Sequence, residues 1–258
     1  MVLNLAAYQF ASVADPGALA AQVRVWAEAG RLQGTVLVAG EGINLFLAGD
    51  ADAMHAFLGH LRSDPRFADI RTKLSSSPSQ PFARLKVKVK PEIISFRRDG
   101  ASPLEGRAPS VAPKDLARWI AQGHDDAGKP VVLLDTRNRE EVGYGTFAGA
   151  LTLPIDNFTD LPEALAPHRE ALSAATVISF CTGGIRCEKA ALWMRAEGMD
   201  NVLQLDGGIL GYFEQVGGAH YEGRCFVFDE RLALDPQLNP MASVVAADGQ
   251  PNILEKQA

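Results

Sequence analysis

Apolar and polar positions alternate along LNLAAYQF, residues 3–10, and this period-two pattern predicts a strand. The next stretch, DPGALAAQVRVWAEAG, changes period. Leu19, Val23, Trp26 and Ala27 recur at helical spacing, with Asp15 placed to cap the start, Pro16 in the first turn and Gly30 at the stop. TVLVA (35–39) and INLFLA (43–48) read as two strands around the turn GEG, and Asp50 is placed to cap a helix through AMHAFLGHLRSD. A short strand over Ile70–Leu74 and a longer one over RLKVKVKPEIISF complete the order β-α-β-β-α-β, a ferredoxin-like α+β pattern for residues 1–96.

Residues 97–112 are rich in Pro, Gly and charge and read as a linker. Beyond it the pattern becomes an alternation: PKDLARWIAQG helix, VVLLDTR strand, ALTLPI strand, LPEALAPHREAL helix, TVISFC strand, RCEKAALWMRAEG helix, NVLQLDGG strand. Strands alternating with helices imply a doubly wound parallel sheet, here over residues 113–222. Residues 223–258 form a C-terminal extension whose tail, from Asp248, is polar and expected to fray.

Composition narrows the class. Of 258 residues, 47% are hydrophobic and 22% charged, as in ordinary soluble globular proteins. No apolar run reaches the ~18–20 residues of a membrane span, and the N-terminus lacks the basic start of a signal peptide. Three cysteines make no disulfide framework, so a reducing cytoplasm is expected. A net charge of −6 argues against a wholly basic nucleic-acid binder and leaves room for a local basic patch.

The candidate chemistry lies in CTGGIRCEKA, residues 181–190. Cys181 ends an apolar strand, and ligands of open α/β sheets bind beyond the carboxyl ends of strands. Gly183 and Gly184 allow the backbone of Thr182, Gly183, Gly184 and Ile185 to turn its N–H groups inward, as an anion nest at a helix start. Such a nest stabilises a thiolate or a persulfide on Cys181, and Arg186 closes the loop with positive charge. The spacing is C-x4-R, one residue shorter than the C-x5-R ring with which cysteine phosphatases encircle phosphate, which favours a smaller group on sulfur. From these residues alone the chemistry is sulfur transfer through a Cys181 persulfide. The plainer readings are a buried, inert cysteine beside a tight turn, or a binding module without activity.

CTGGIR, the segment LDTRNREEVGYGTFAGA and the late LQLDGGILGYF together resemble a rhodanese domain. GEGIN (40–44), CTGGIRCEKA, GGI and RCFVFDER together resemble a narrower family, the rhodanese-domain tRNA uridine hydroxylases, over roughly residues 1–235. That resemblance implies oxygen-dependent formation of 5-hydroxyuridine at wobble position 34 of tRNA, with Cys181 central, the anticodon arm as partner and O2 as co-substrate. Many members of that family continue into a cysteine-rich C-terminal segment. This chain carries only Cys225 beyond the loop, and no structural zinc is expected. No other cofactor is evident: there is no GxGxxG signature and no evident two-histidine-one-carboxylate iron site. No membrane or obligate protein partner is indicated.

Five further groups qualify the picture. Cys187 follows Arg186 and is open between a resolving thiol, a second reactive group and inner-face packing of the helix. Asp135 and Arg137 end a strand on the same sheet edge as Cys181; Asp135 can accept from loop amides and Arg137 can add positive potential, or the two form a surface ion pair. Arg84, Lys86, Lys88 and Lys90 share one parity and hence one strand face, with Val87 and Val89 turned to a core. Their spacing of ~6.5–7 Å roughly tracks an RNA backbone, with Arg71, Arg97 and Arg98 near in sequence; the alternative is a solvated edge blunted by lysine. Glu41 and Asn44 of GEGIN sit at a turn, and the resemblance adds a role facing the cleft. His55 and His60, five apart on a helix, are not expected to be ligands.

Overall fold

The computed structural model describes residues 1–241, so the expected frayed tail from Asp248 lies outside the described residues. The first unit comprises β1 (Val2–Phe10), α1 (Pro16–Ala29), β2 (Gln33–Ala39), β3 (Gly42–Gly49), α2 (Ala51–Arg62), β4 (Thr72–Ser77) and β5 (Leu85–Val89). Its sheet runs β4-β1-β3-β2-β5, antiparallel except where β5 joins β2 in parallel. The first four strands have the ferredoxin-like order, and β5 adds an edge. Both helix starts are capped as the sequence predicts: Asp15 accepts from the Ala18 N–H, and Asp50 from those of Asp52 and Ala53.

Period two sorts β1. Leu5 and Ala7 join the core under α1 and α2 with Val23, Ile43, Leu45, Phe57 and Leu61. Asn4, Ala6, Tyr8 and Phe10 face the other way and line a cleft.

The long strand expected over RLKVKVKPEIISF is only five residues, Leu85–Val89. Pro91 brings no N–H, and the next amides are taken by side chains: Ile93 N–H donates to Glu41 and Phe96 N–H to Glu92. The fourth strand lies at Thr72–Ser77, later than the expected 70–74; Ile70 packs in the core ahead of it. Val89, expected inward, is 52% exposed because β5 is an edge strand reaching the end of the core.

The second unit starts inside the segment that reads as a linker. Phe96, Ala101 and Ala108 are buried, and β6 (Ser110–Val111) pairs with the second sheet. There follow α3 (Pro113–Gln122), β7 (Val131–Asp135), α4 (Arg139–Val142), β8 (Gly145–Phe147), β9 (Leu151–Thr152), α5 (Leu161–Leu165) and α6 (Arg169–Leu172). Then come β10 (Thr176–Phe180), α7 (Ile185–Ala196), β11 (Val202–Leu205) and α8 (Gly208–Val216). Short strands β12 (Tyr221–Gly223), β13 (Cys225–Phe226) and β14 (Ala233–Leu234) close the described chain.

The main sheet, β6-β11-β10-β7-β9, is parallel throughout. It is buried on both faces. Val177 and Leu134 pack with α5, α6 and α7, while Ile178, Phe180 and Leu133 pack with α3 and α8. That double cover explains the unbroken apolar run of β10. It also leaves the carboxyl end of β10, and so Cys181, as the open edge. No helix among the described residues is long and apolar enough to cross a membrane.

Candidate active site

Cys181 follows the last residue of β10 and is 1% exposed, at the floor of a cleft of roughly 1290 Å³. The loop Cys181–Ile185 forms one wall together with the start of α8, and the open face of the first sheet forms the other. Cys181 Sγ accepts the N–H of Gly184 at 3.2 Å and also that of Arg186. Gly184 alone supplies the left-handed turn (φ 101°). Gly183, expected to share that task, has ordinary φ and marks open space where a side chain would stand. Behind the loop, Ile209 N–H donates to Cys181 O and Leu210 N–H to Thr182 O, so α8 is docked by its N-terminus. Gly208 permits this approach: at φ 62°, a Cβ there would stand 2.5 Å from Cys181 O.

Burial by itself would raise the Cys181 pKa. A hydrogen bond from the Cys187 thiol, the Arg186 charge and the two loop amides more than offset it, and the thiol is lowered to about 6. Cys187 moves the opposite way, pushed well up by burial and by the neighbouring Cys181 sulfur. Cys181 is therefore the anion of the pair and Cys187 the proton holder. Alkylation by a small reagent such as iodoacetamide is expected to follow a midpoint near pH 6 at Cys181, against ~8.5 for an ordinary cysteine. The rate rises with pH because only the thiolate reacts; a midpoint above pH 8 at this residue would contradict the nest.

Arg186 closes the loop, but its guanidinium does not face the sulfur as a free charge. It is buried and paired twice with Glu141, at 2.5 and 2.6 Å. Glu141 also accepts from the Asn138 N–H and from Thr182 Oγ1, which holds α4 against the loop. Burial would raise its pKa, yet Arg186 and the Asn138 amide keep the carboxyl below its ordinary value.

Asp135 and Arg137 form a second buried pair, fully enclosed rather than at the surface. Asp135 accepts from the Arg137 N–H and Thr146, and Arg137 donates to Gly145 O. Neither lines the cleft; the charge of Arg137 acts on Glu141, one step behind Arg186.

GEGIN meets CEKA directly. Lys189 Nζ, 4% exposed, bonds Glu41 at 2.8 Å, Glu92 at 2.6 Å and Ile94 O at 3.1 Å. Asn44 donates to Ile93 O. Glu41 and Asn44 therefore fasten residues 92–94 and α7 to the first sheet; of the two, Asn44 lines the cleft. Lys189→Met is expected to leave two carboxylates facing one another. Because both keep some water, the cost should fall near the lower end of the ~3–5 kcal/mol for breaking a buried pair, or roughly 6–12 °C in Tm. Scanning calorimetry checks this, and an unchanged Tm would show that the contact carries no stability.

The basic stripe is placed elsewhere. Arg84, Lys86, Lys88 and Lys90 are all exposed, as parity predicts, but only Lys90 reaches the cleft. Arg71 is paired with Asp206 and Arg98 with Glu163. His60 stacks on Trp26. Among the described residues, no group of three or more His, Cys, Asp or Glu side chains is arranged to hold a metal ion.

Besides Lys189 and Glu92, sequence reasoning missed Glu141, Tyr8, Glu188 and Arg107. Glu141 was legible in principle, since a buried loop arginine requires a carboxylate and NREEV offers one. Tyr8 had no such signal. It crosses from β1 to donate to Glu188 at 3.2 Å, its hydroxyl resting over Gly184. Burial, then Glu188 and Cys181, push its pKa well up and keep the phenol protonated. Glu188 is paired with Arg107, so α7 bears two ionic contacts side by side, through Glu188 and Lys189.

Comparison with known proteins agrees with both halves. Residues 2–93 match the family model described as the UPF0176 acylphosphatase like domain, and residues 113–215 match the rhodanese-like domain. Over 246 residues the chain is 70% identical to a protein of Xanthomonas campestris pv. campestris (strain 8004) named tRNA uridine(34) hydroxylase, covering 95% of this chain and 97% of that one. A protein of Xylella fastidiosa (strain 9a5c) with the same name is 61% identical over 241 residues, covering 93% and 94%. A site built on a rhodanese loop, roofed by an acylphosphatase-like sheet and matched nearly end to end by these relatives, places the chain in the tRNA uridine(34) hydroxylase family.

Proposed function

We propose that this protein hydroxylates C5 of the uridine at position 34 of tRNA in the cytoplasm, with O2 as the oxygen source. One observation carries the reading beyond the relatives' name: the anionic sulfur of Cys181 lies at the floor of a cleft whose other wall is the first sheet. A cleft near 1290 Å³ exceeds the ~300–1,000 Å³ that hold drug-sized ligands, and so suits a nucleotide with its neighbours. Tyr8, Phe10, Phe46 and Phe228 offer aromatic surface along it. Uridine 34 lies in a single-stranded loop whose bases can be splayed out and stacked on such rings. Lys90 stands at the cleft and Arg84, Lys86 and Lys88 continue from it along β5, in line with a path for the anticodon arm's phosphates. In this assignment Arg186, Asp135 and Arg137 hold the loop, Cys181 and Cys187 carry the chemistry, and Glu41 and Asn44 hold the roof.

The test is nucleoside mass spectrometry of tRNA incubated aerobically with the protein and a thiol reductant. The expected result is 5-hydroxyuridine at position 34 only when protein and oxygen are both present. Its absence under those conditions would sink the reading. The amides aimed at Cys181 Sγ would also suit a persulfide, which favours a sulfurtransferase as the second reading. Thiocyanate formed from thiosulfate and cyanide, with tRNA unchanged, would select it.

A further inference from the structure

Cys187 is fully buried on the first turn of α7, yet it belongs to none of the apolar clusters that fill the two units. Its sulfur has polar company. Thr136 Oγ1 lies 3.7 Å away, and that hydroxyl in turn bonds Phe180 O at 2.9 Å, the residue before Cys181. That bridge sets Cys187 against the peptide joining Phe180 to Cys181, and the two sulfurs lie near enough to act on one another's protons. Ala190, Ala191 and Met194, further along the same face of α7, join the apolar core, whereas Cys187 at its first turn does not. The fold brings the two sulfurs together even though five residues separate them in sequence.

Hydroxylation by O2 places one oxygen atom on carbon and reduces the other to water, which requires two electrons. We propose that Cys181 and Cys187 are the two-electron donor of the reaction and close into a disulfide at each turnover. This rests on the hydroxylase reading. The balance is U–H + O2 + Cys181–S⁻ + Cys187–SH + H⁺ → U–OH + H2O + Cys181–S–S–Cys187. The C5–H and O–O bonds break, C5–O and S–S bonds form, the two sulfurs are oxidised, and one oxygen atom leaves as water with the thiol proton and one from solvent. The protonation states suit the step: one sulfur is the nucleophilic anion and its neighbour holds the proton to be released. An external dithiol entering by the cleft, which Cys181 lines, restores the pair. Cys225 is a built-in control. It is buried, burial pushes its pKa up to about 12, and it is expected to stay a thiol.

The experiment uses the full chain, reduced and then freed of reductant. Activity is first scored under oxygen with excess dithiothreitol, so that failure of hydroxylation itself is read separately. Reductant-free protein is then mixed with excess tRNA under oxygen. The expected yield is about one 5-hydroxyuridine per chain, with peptide mapping showing a Cys181–Cys187 disulfide in matching amount. Cys187→Ser, which keeps a hydrogen-bonding hydroxyl, should lower this reductant-free yield at least tenfold while Cys181 still alkylates as a thiolate. In tRNA-free protein, one equivalent of hydrogen peroxide should give the same disulfide. Many products per chain without reductant, or product formed while both thiols remain free, would overturn the proposal. So would a peroxide-treated protein whose Cys181 is oxidised without Cys187.

Discussion

Cys181→Ala is expected to abolish 5-hydroxyuridine formation, a loss of at least ~10³-fold in turnover, as for removal of a nucleophile whose partners act only through it. The site explains the size. The Gly184 and Arg186 amides and the Cys187 thiol all point at this one sulfur, and the Arg186 charge acts on it. Without the sulfur they have nothing to stabilise. Cys181→Ser should lose nearly as much, because a hydroxyl stays neutral where the thiol, lowered to about 6, is already an anion at neutral pH. Neither change should unfold the protein. Arg186 keeps its Glu141 partner, and the carbonyls of Cys181 and Thr182 still receive the α8 amides. Nucleoside mass spectrometry alongside urea unfolding separates the two effects, and wild-type turnover by a folded Cys181→Ala protein would remove this residue from the mechanism.

Glu141→Ala should be the most damaging single change to stability in the loop, about 3–5 kcal/mol, or roughly 6–20 °C in Tm. The guanidinium of Arg186 would remain buried with no carboxylate, and the Asn138 N–H and Thr182 Oγ1 would lose an acceptor. The same physics predicts a rescue. Glu141→Leu combined with Arg186→Met removes both charges, which in buried pairs is often neutral for stability. The double variant should regain most of the lost Tm and yet remain poorly active, since the Arg186 charge helps hold Cys181 as thiolate. If the double variant were as unstable as Glu141→Ala, the pair would matter for its shape and not for its charge balance.

Local signals in the sequence held where the structure is local. Asp15 and Asp50 cap the helices they precede, and the unbroken apolar run at 176–180 is a strand covered on both faces. CTGGIR ends that strand and begins a helix, as its glycines and position require. The failures share a cause. RLKVKVKPEIISF looks like one strand, but beyond Pro91 the Ile93 N–H is taken by Glu41, 52 positions away. Residues 97–112 look like a linker by composition, yet Ala101, Ala108 and Val111 are buried. In both, partners distant in sequence claim backbone groups or apolar surface that local pattern leaves free.

The sequence by itself determined the two fold types, the loop that turns Cys181 into an anion site and the parity that exposes Arg84, Lys86, Lys88 and Lys90 on β5. These follow from side-chain periodicity, glycine geometry and helix starts, all of which act over a few residues. Only the tertiary structure decided that Arg186 is held by Glu141, that Tyr8 rests over the loop, that Glu41 is tied to Lys189 across almost 150 positions, and that Cys187 reaches the Cys181 sulfur. The reason is desolvation. A buried charge or thiol must find its partner wherever the packed elements bring one, and that choice is made by the crossing of helices and sheets rather than by neighbours in the chain.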